Sequence, residues 1–283
     1  MASLAFNRYG KHRVRVSKVR RPRKMAANAE RHEFVEVSVD VELEGDFAAS
    51  FTAGDNRNVI ATDTCKNTVY VLAKDHPLDT IESFGLAIAE HFVSRYAQVT
   101  RCIVTLEERV WSRLAGSPFC FTAGGSATPT AVVDLVRGKS PVVWSGVEKL
   151  LIAKTTESGF SDFHRDEFRT LPDTDDRILA TELTAVWKYN SADLDFATFR
   201  AAIFDALLKR FTDHFSRSVQ ETLFLMGQAA LAACAAVTEI TLTMPNKHHL
   251  LANLAPFGRE NANEVFVATD EPFGYITGTV ARD

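Results

Sequence analysis

The order in which apolar patterns recur constrains the fold of this chain more than any other feature. Residues 11–19 and 32–44 alternate, and the second run places Val35, Val37, Val39, Val41 and Leu43 on one face and Phe34 on the other. Such alternation marks half-buried antiparallel strands. Two helical patterns follow. The first opens at Thr62-Asp63-Thr64, with a hydroxyl placed to cap it; the second, near 78–99, carries Ile81, Phe84, Ile88, Phe92 and Tyr96 on one stripe. Strand patterns resume at 101–111 and 130–137. After Gly138-Lys139-Ser140-Pro141 the order restarts with strands over 142–155 and 177–189. A helix then bears Phe196, Phe199, Ile203, Leu207 and Phe211 on one face, and another begins where Ser218 and Glu221 have capping-box spacing. Strands over 239–244, 264–268 and 275–280 close the chain. The repetition predicts an α+β fold made of two copies of one unit, 1–138 and 139–283. Each would be an antiparallel sheet with helices on one face.

Composition narrows the function. With 283 residues, 46% hydrophobic and 24% charged, the chain can bury a sizeable core. A net charge of −4 gives no whole-chain case for nucleic acid or an anionic membrane. The basic run Arg20-Arg21-Pro22-Arg23-Lys24 reads as a solvated hairpin loop. The Ala-rich stretch 229–237 falls well short of the roughly 20 residues that span a bilayer. Cys65, Cys102, Cys120 and Cys234 are dispersed, as expected of a reduced, intracellular protein. The N-terminus is Arg-rich and acid-poor like a transit peptide, yet Arg13-Val14-Arg15-Val16 alternates like a strand.

No familiar catalytic signature is present: no GxGxxG, Walker A loop, GxSxG or HExxH. His248 and His249 are the one adjacent pair among eight histidines, and neighbours on a strand face opposite ways. Clustered zinc-ligand spacing is missing. What remains is a set of polar or aromatic residues at unusual places. Lys11 opens a strand after Tyr9-Gly10. Thr62 and Asp63 start a helix, where backbone N–H groups are free. Phe160 lies in a Gly/Ser loop, as a plug or a stacking platform. Arg177 follows the acidic Asp173-Thr174-Asp175-Asp176, so a local salt bridge is its plain explanation. Gln220 occupies the first turn of a helix, and Asn246-Lys247-His248 follows Pro245 in an expected turn. Singly, each has an ordinary structural explanation.

Together they carry a resemblance. Tyr9-Gly10-Lys11, the run from Asn58 to Tyr70, the stretch from Phe160 through His164-Arg165-Asp166 to Leu179, Ser218-Val219-Gln220, Pro245-Asn246-Lys247-His248-His249 and Asn263-Glu264-Val265-Phe266 occur in the order found in urate oxidases. The chain resembles that family over almost its whole length. The resemblance implies a tandem of two tunnelling-fold units, four chains forming a barrel-like tunnel, and active sites between subunits. It implies oxidation of urate by dioxygen and water to 5-hydroxyisourate and hydrogen peroxide, without metal or cofactor.

Residue by residue, it implies that Arg177 and Gln220 grip the purine edge and that Phe160 stacks on its ring. Val219 and Asp63 would position the rim, and Leu171 and Ile276 would line the pocket. Asn246 would face the small site for dioxygen or water. Lys11, Thr62 and His248 would form a proton relay, with Thr62 and Asp63 supplied by a neighbouring subunit. Two departures stand out: Asp162 occupies a place where the family commonly has Gly, and His164 one where it often has Pro or Leu. The ending Ala281-Arg282-Asp283 is not a peroxisomal tripeptide, so a cytoplasmic protein is expected. Two other classes stay open on residues alone. One is a purine- or pterin-binding protein without turnover, for which Asp162 speaks. The other is a metal-dependent enzyme of the pterin cyclohydrolase type, against which the missing Cys/His clusters speak.

Overall fold

A computed structural model describes residues 2–21 and 31–282 of the protein. Pro22, Arg23 and Lys24 of the basic run lie outside the described residues. The chain forms two compact units: Met1–Gly146 with Lys188–Thr198, and Val147–Trp187 with Phe199–Asp283.

The first unit begins with strands β1 (Tyr9–Arg20) and β2 (Glu33–Gly45). A short helix α1 (Ala48–Thr52) precedes the longer helices α2 (Thr62–Asp75) and α3 (Ile81–Arg95). Strand β3 (Val99–Arg109), the hairpin β4 (Trp111–Arg113) and β5 (Phe121–Ala123), and β6 (Thr128–Val136) follow. The main sheet runs β1-β2-β3-β6, antiparallel throughout. Its helix-facing side is the expected one: Val37, Val39, Val41 and Leu43 are buried. Helix α3 is capped by Thr80, whose hydroxyl accepts the Ser83 N–H, and lays Ile81, Phe84, Ile88 and Phe92 onto β3 and β6. Truncating a buried Phe on that stripe to Ala would cost about 3–5 kcal/mol.

The second unit takes most of β7 (Val142–Lys154) and β8 (Leu179–Tyr189), then most of α4 (Phe196–Thr212) and all of α5 (Val219–Ala233). Strands β9 (Val237–Thr243), β10 (Asn246–Leu251), β11 (Phe266–Gly274) and β12 (Thr277–Ala281) complete it. Its sheet runs β7-β8-β10-β11, with β9 also on β8 and β12 on β9. Ile203, Leu207 and Phe211 of α4 are buried, as are Leu223, Met226 and Leu231 of α5. No helix of the described residues is long and apolar enough to cross a membrane.

Three local expectations change. Thr62 does not cap α2: Ala61 is the N-cap residue, without a side-chain bond, and Thr62 is the first helical residue. Asn246, Lys247 and His248 form the start of β10 rather than a turn, because Asn246 pairs with Thr181 on β8 and with Gly274 on β11. Finally, Glu221 completes only half a capping box. Ser218 Oγ accepts the Glu221 N–H at 3.1 Å, but the Glu221 carboxylate accepts from the Arg217 backbone and guanidinium.

Candidate active site

A cavity of about 480 Å³ in the second unit gathers most of the residues singled out in the sequence. Phe160 and Arg177 come from the loop between β7 and β8. That loop is pinned by paired backbone bonds, Phe160 N–H to Thr174 O at 2.7 Å and Thr174 N–H to Phe160 O at 3.0 Å. It also needs Gly159, where a Cβ would stand 2.9 Å from the Thr174 carbonyl oxygen. The Arg177 N–H then donates to Ser158 O at 2.9 Å, which points the residue after the acidic run back toward Phe160.

The salt bridge expected as the plain explanation of Arg177 does not form. Asp173 pairs with Arg165 and Arg169 at 2.9 and 2.8 Å. Asp176 accepts from Thr156 Oγ1 at 2.9 Å and from Asn263 Nδ2 at 3.0 Å. Arg177 instead lies over the Phe160 ring, 5.3 Å from its centroid, with its Nε buried and without a partner among the described residues. Burial lowers its pKa from the usual arginine value. A buried guanidinium N–H left unanswered costs about 1–3 kcal/mol, which an anionic or carbonyl-rich ligand would offset.

Other elements close the cavity. Val219 and Gln220 form the first turn of α5, Val219 buried and Gln220 exposed. Asn246 and His248 come from β10, and a register shift lies between them. Ile276 sits between β11 and β12, its carbonyl accepting the Met244 N–H at 2.7 Å. Leu171 is exposed on the rim. The cavity thus has an aromatic face, a desolvated cation and aliphatic walls, with an amide and an imidazole on one strand.

Lys11, Thr62 and Asp63 belong to the first unit and are not among the residues lining that cavity. There they form a second group. Lys66 Nζ lies 2.5 Å from Asp63 Oδ1, and Asn67 Nδ2 donates to Oδ2 at 2.9 Å. The Lys66 hydrogen bond chiefly lowers the Asp63 pKa, and the charge of Lys11 adds to it. Lys11 also acts on Cys65, whose thiol burial nonetheless pushes up to about 11. Thr62 is exposed and its hydroxyl makes no hydrogen bond among the described residues. The Tyr9 hydroxyl accepts the Ile60 N–H at 2.8 Å, and its ring meets Phe47 edge-on at 4.7 Å, tying β1 to the loop before α2.

Sequence reasoning missed Phe163, which backs Phe160, and Asn263 and Phe266, which line the cavity. All three lie in segments that carried the resemblance, so their signal was present without an assigned role. Asp162 is exposed, lies outside the lining, and adopts a left-handed φ of 57°. Glycine takes that conformation without steric cost.

Sheet, helices and cavity define an α+β tunnelling-fold protein with a pocket suited to a flat, electron-rich ring. The family model described as Uricase matches residues 7–134 and 143–277. The uricase of Arthrobacter globiformis is 40% identical over 99% of this chain and 90% of its own length. That of Dictyostelium discoideum is 38% identical over 100% of this chain and 98% of its own. The crystal structure of the Arthrobacter globiformis uricase superposes with a TM-score of 0.94 at 39% identity, covering 100% of this chain and 96% of that one. This chain belongs to the uricase family.

Proposed function

We propose that the protein is a urate oxidase, converting urate, dioxygen and water to 5-hydroxyisourate and hydrogen peroxide. The observation that carries this reading is the one cavity that unites Phe160, Arg177, Gln220 and Asn246. Urate is planar, anionic and rimmed with carbonyls and N–H groups. Arg177 and Gln220 grip its edge, the guanidinium supplying a rigid pair of donors. Phe160 stacks on the ring, while Leu171, Val219 and Ile276 enclose it. Asn246 faces the small site above the ring where dioxygen, and later water, is held.

Lys11, Thr62 and His248 act as the proton relay. Lys11 and Thr62, with Asp63, come from a neighbouring copy in a four-chain, barrel-like tunnel built from the repeats 1–138 and 139–283. The location of Lys11 and Thr62 on the first unit supports this reading. An ammonium beside a hydroxyl stabilises the proton-accepting state of that hydroxyl or of its bound water. Urate stripped of a further proton is rich enough in electrons to reduce dioxygen, two electrons and two protons leaving as hydrogen peroxide. Water then adds to the oxidised ring. The protein contributes proton removal, charge stabilisation and placement of the gas. The reading includes a cytoplasmic location.

Purified protein in air should bleach urate and release peroxide in equal amounts, and chelator should not change the rate. Binding without bleaching would sink the reading, and chelator-sensitive turnover would sink its cofactor-independent form. A binding protein without turnover has lost its one supporting residue, since Asp162 is exposed and outside the lining.

A further inference from the structure

We propose that Asp40 is a positioning residue for Lys11, acting through a one-residue bulge in β1. The proposal rests on the urate oxidase reading, in which Lys11 belongs to the proton relay. Side chains alternate along a regular strand, so Lys11 would share a face with Arg13 and Arg15. The pairing with β2 breaks that count. Lys11 opposes Val41 and Val14 opposes Val39, so His12 and Arg13 together stand against Asp40. One extra residue turns Lys11 onto the face of Val14 and Val16, both buried. Helix α2 packs on β1, and the charge of Lys11 acts there on Asp63 and Cys65.

The bulge has its own supports. Arg13 takes a left-handed φ of 58°, which side chains other than Asn, Asp and His rarely adopt. A bulge leaves a backbone N–H without a ladder partner, and an unanswered N–H is unfavourable. Asp40 Oδ1 accepts the Arg13 N–H at 2.5 Å. The second Asp40 oxygen lies 3.6 Å from His12 Nδ1, and the Arg13 guanidinium donates to both Glu107 oxygens at 3.0 Å. On the other side of Lys11, a Cβ on Gly10 would stand 1.8 Å from the Val41 carbonyl oxygen, so no side chain fits there. Lys11 is held between a close backbone approach and a bulge. Among the described residues, Asp40 provides the one side-chain bond to that bulge's backbone.

The test compares Asp40→Ala and Asp40→Asn in the full-length protein. It measures kcat and KM for urate, and the reductive methylation rate of Lys11 relative to Lys66 by peptide mass spectrometry. Asp40→Ala should lower kcat about 10- to 100-fold, the scale of a slightly misplaced catalytic group, with little change in KM. Asp40→Asn keeps an acceptor oxygen and should restore kcat. Relative methylation of Lys11 should change in the first variant and not in the second. In a Lys11→Met background, Asp40→Ala should lower kcat no further. An unchanged kcat, a KM rising in step with the loss, or an Asn variant as poor as the Ala variant would overturn the proposal. So would an unfolded Ala variant beside a folded Asn variant, since that assigns Asp40 to stability alone. A wild-type chain that leaves urate untouched refutes the urate oxidase reading instead, and Lys11 methylation then decides the role of Asp40 by itself.

Discussion

The rings of Phe160 and Phe163 lie parallel, their centroids 4.7 Å apart and their planes 8° apart. Arg177 stands 5.3 Å from the Phe160 centroid and Arg169 stands 4.7 Å from that of Phe163. Asp173 holds Arg169 in turn. The stack fixes the tilt of the Phe160 ring before any ligand meets it. Replacing Phe163 by Leu keeps bulk but removes the parallel partner, a loss of about 0.5–1.5 kcal/mol, or roughly 2- to 10-fold in affinity. Urate KM should rise by that factor with kcat nearly constant. A fall in kcat alone would place Phe163 elsewhere in the cycle.

Relay and clamp should separate kinetically. Lys11→Met removes a proton-handling group and should cut kcat by about 10²- to 10⁴-fold with urate affinity almost intact. Arg177→Ala removes charged hydrogen bonds of about 1.5–3 kcal/mol and should chiefly raise KM, by about 10- to 100-fold. Steady-state kinetics with equilibrium binding of a non-reactive purine resolves the two. Identical behaviour would show that the division of labour is wrong.

Asp162 is a test of conformation. Its φ of 57° is unfavourable for an L-residue by up to about 1–2 kcal/mol, less for Asp than for most. Asp162→Gly should therefore raise the thermal midpoint while leaving urate KM unchanged, because the side chain lies outside the cavity lining. A markedly lower KM in the variant would mean that the carboxylate reaches the bound anion.

Alkaline pH should loosen the first unit through Tyr9. Burial pushes its phenol up to about 12 from 10.0, so the folded chain keeps a proton that the unfolded chain releases. Stability from this group is whole below pH 10 and declines as pH rises from 10 toward 12. Denaturant midpoints across that window should fall less steeply in Tyr9→Phe, with tyrosinate absorbance as the independent readout. An equal slope in both proteins would refute the assignment to Tyr9.

Much of this was legible in the sequence because it depends on period. The stripe Ile81, Phe84, Ile88 and Phe92 is buried as its spacing requires, and so is the Val37 to Leu43 alternation. Capping and register were less legible: a cap turns on the path by which the chain enters the helix, and register on a partner distant in the chain. Thr62 looks like a cap, but the chain entering α2 makes Ala61 the cap residue. Asn246 looks like a turn residue until Thr181 and Gly274 are seen to flank it. Lys11 follows the alternation only if the bulge at Arg13 is counted, and nothing local announces that bulge. Arg177 follows an acidic run in which Asp173 and Asp176 are engaged elsewhere, by partners that the spacing of the run does not announce.

The hydrogen bond from Ile60 to Tyr9 has a dynamic consequence. Lys11 stands two residues from Tyr9 and Thr62 two residues from Ile60, so one short tether governs both. Thermal excursions of the strand end and of the helix entrance are thereby correlated. Breathing would carry amine and hydroxyl along as a pair, preserving their mutual spacing while the surroundings shift. Severing the tether, as Tyr9→Phe does, should widen the distribution of that spacing without moving its mean.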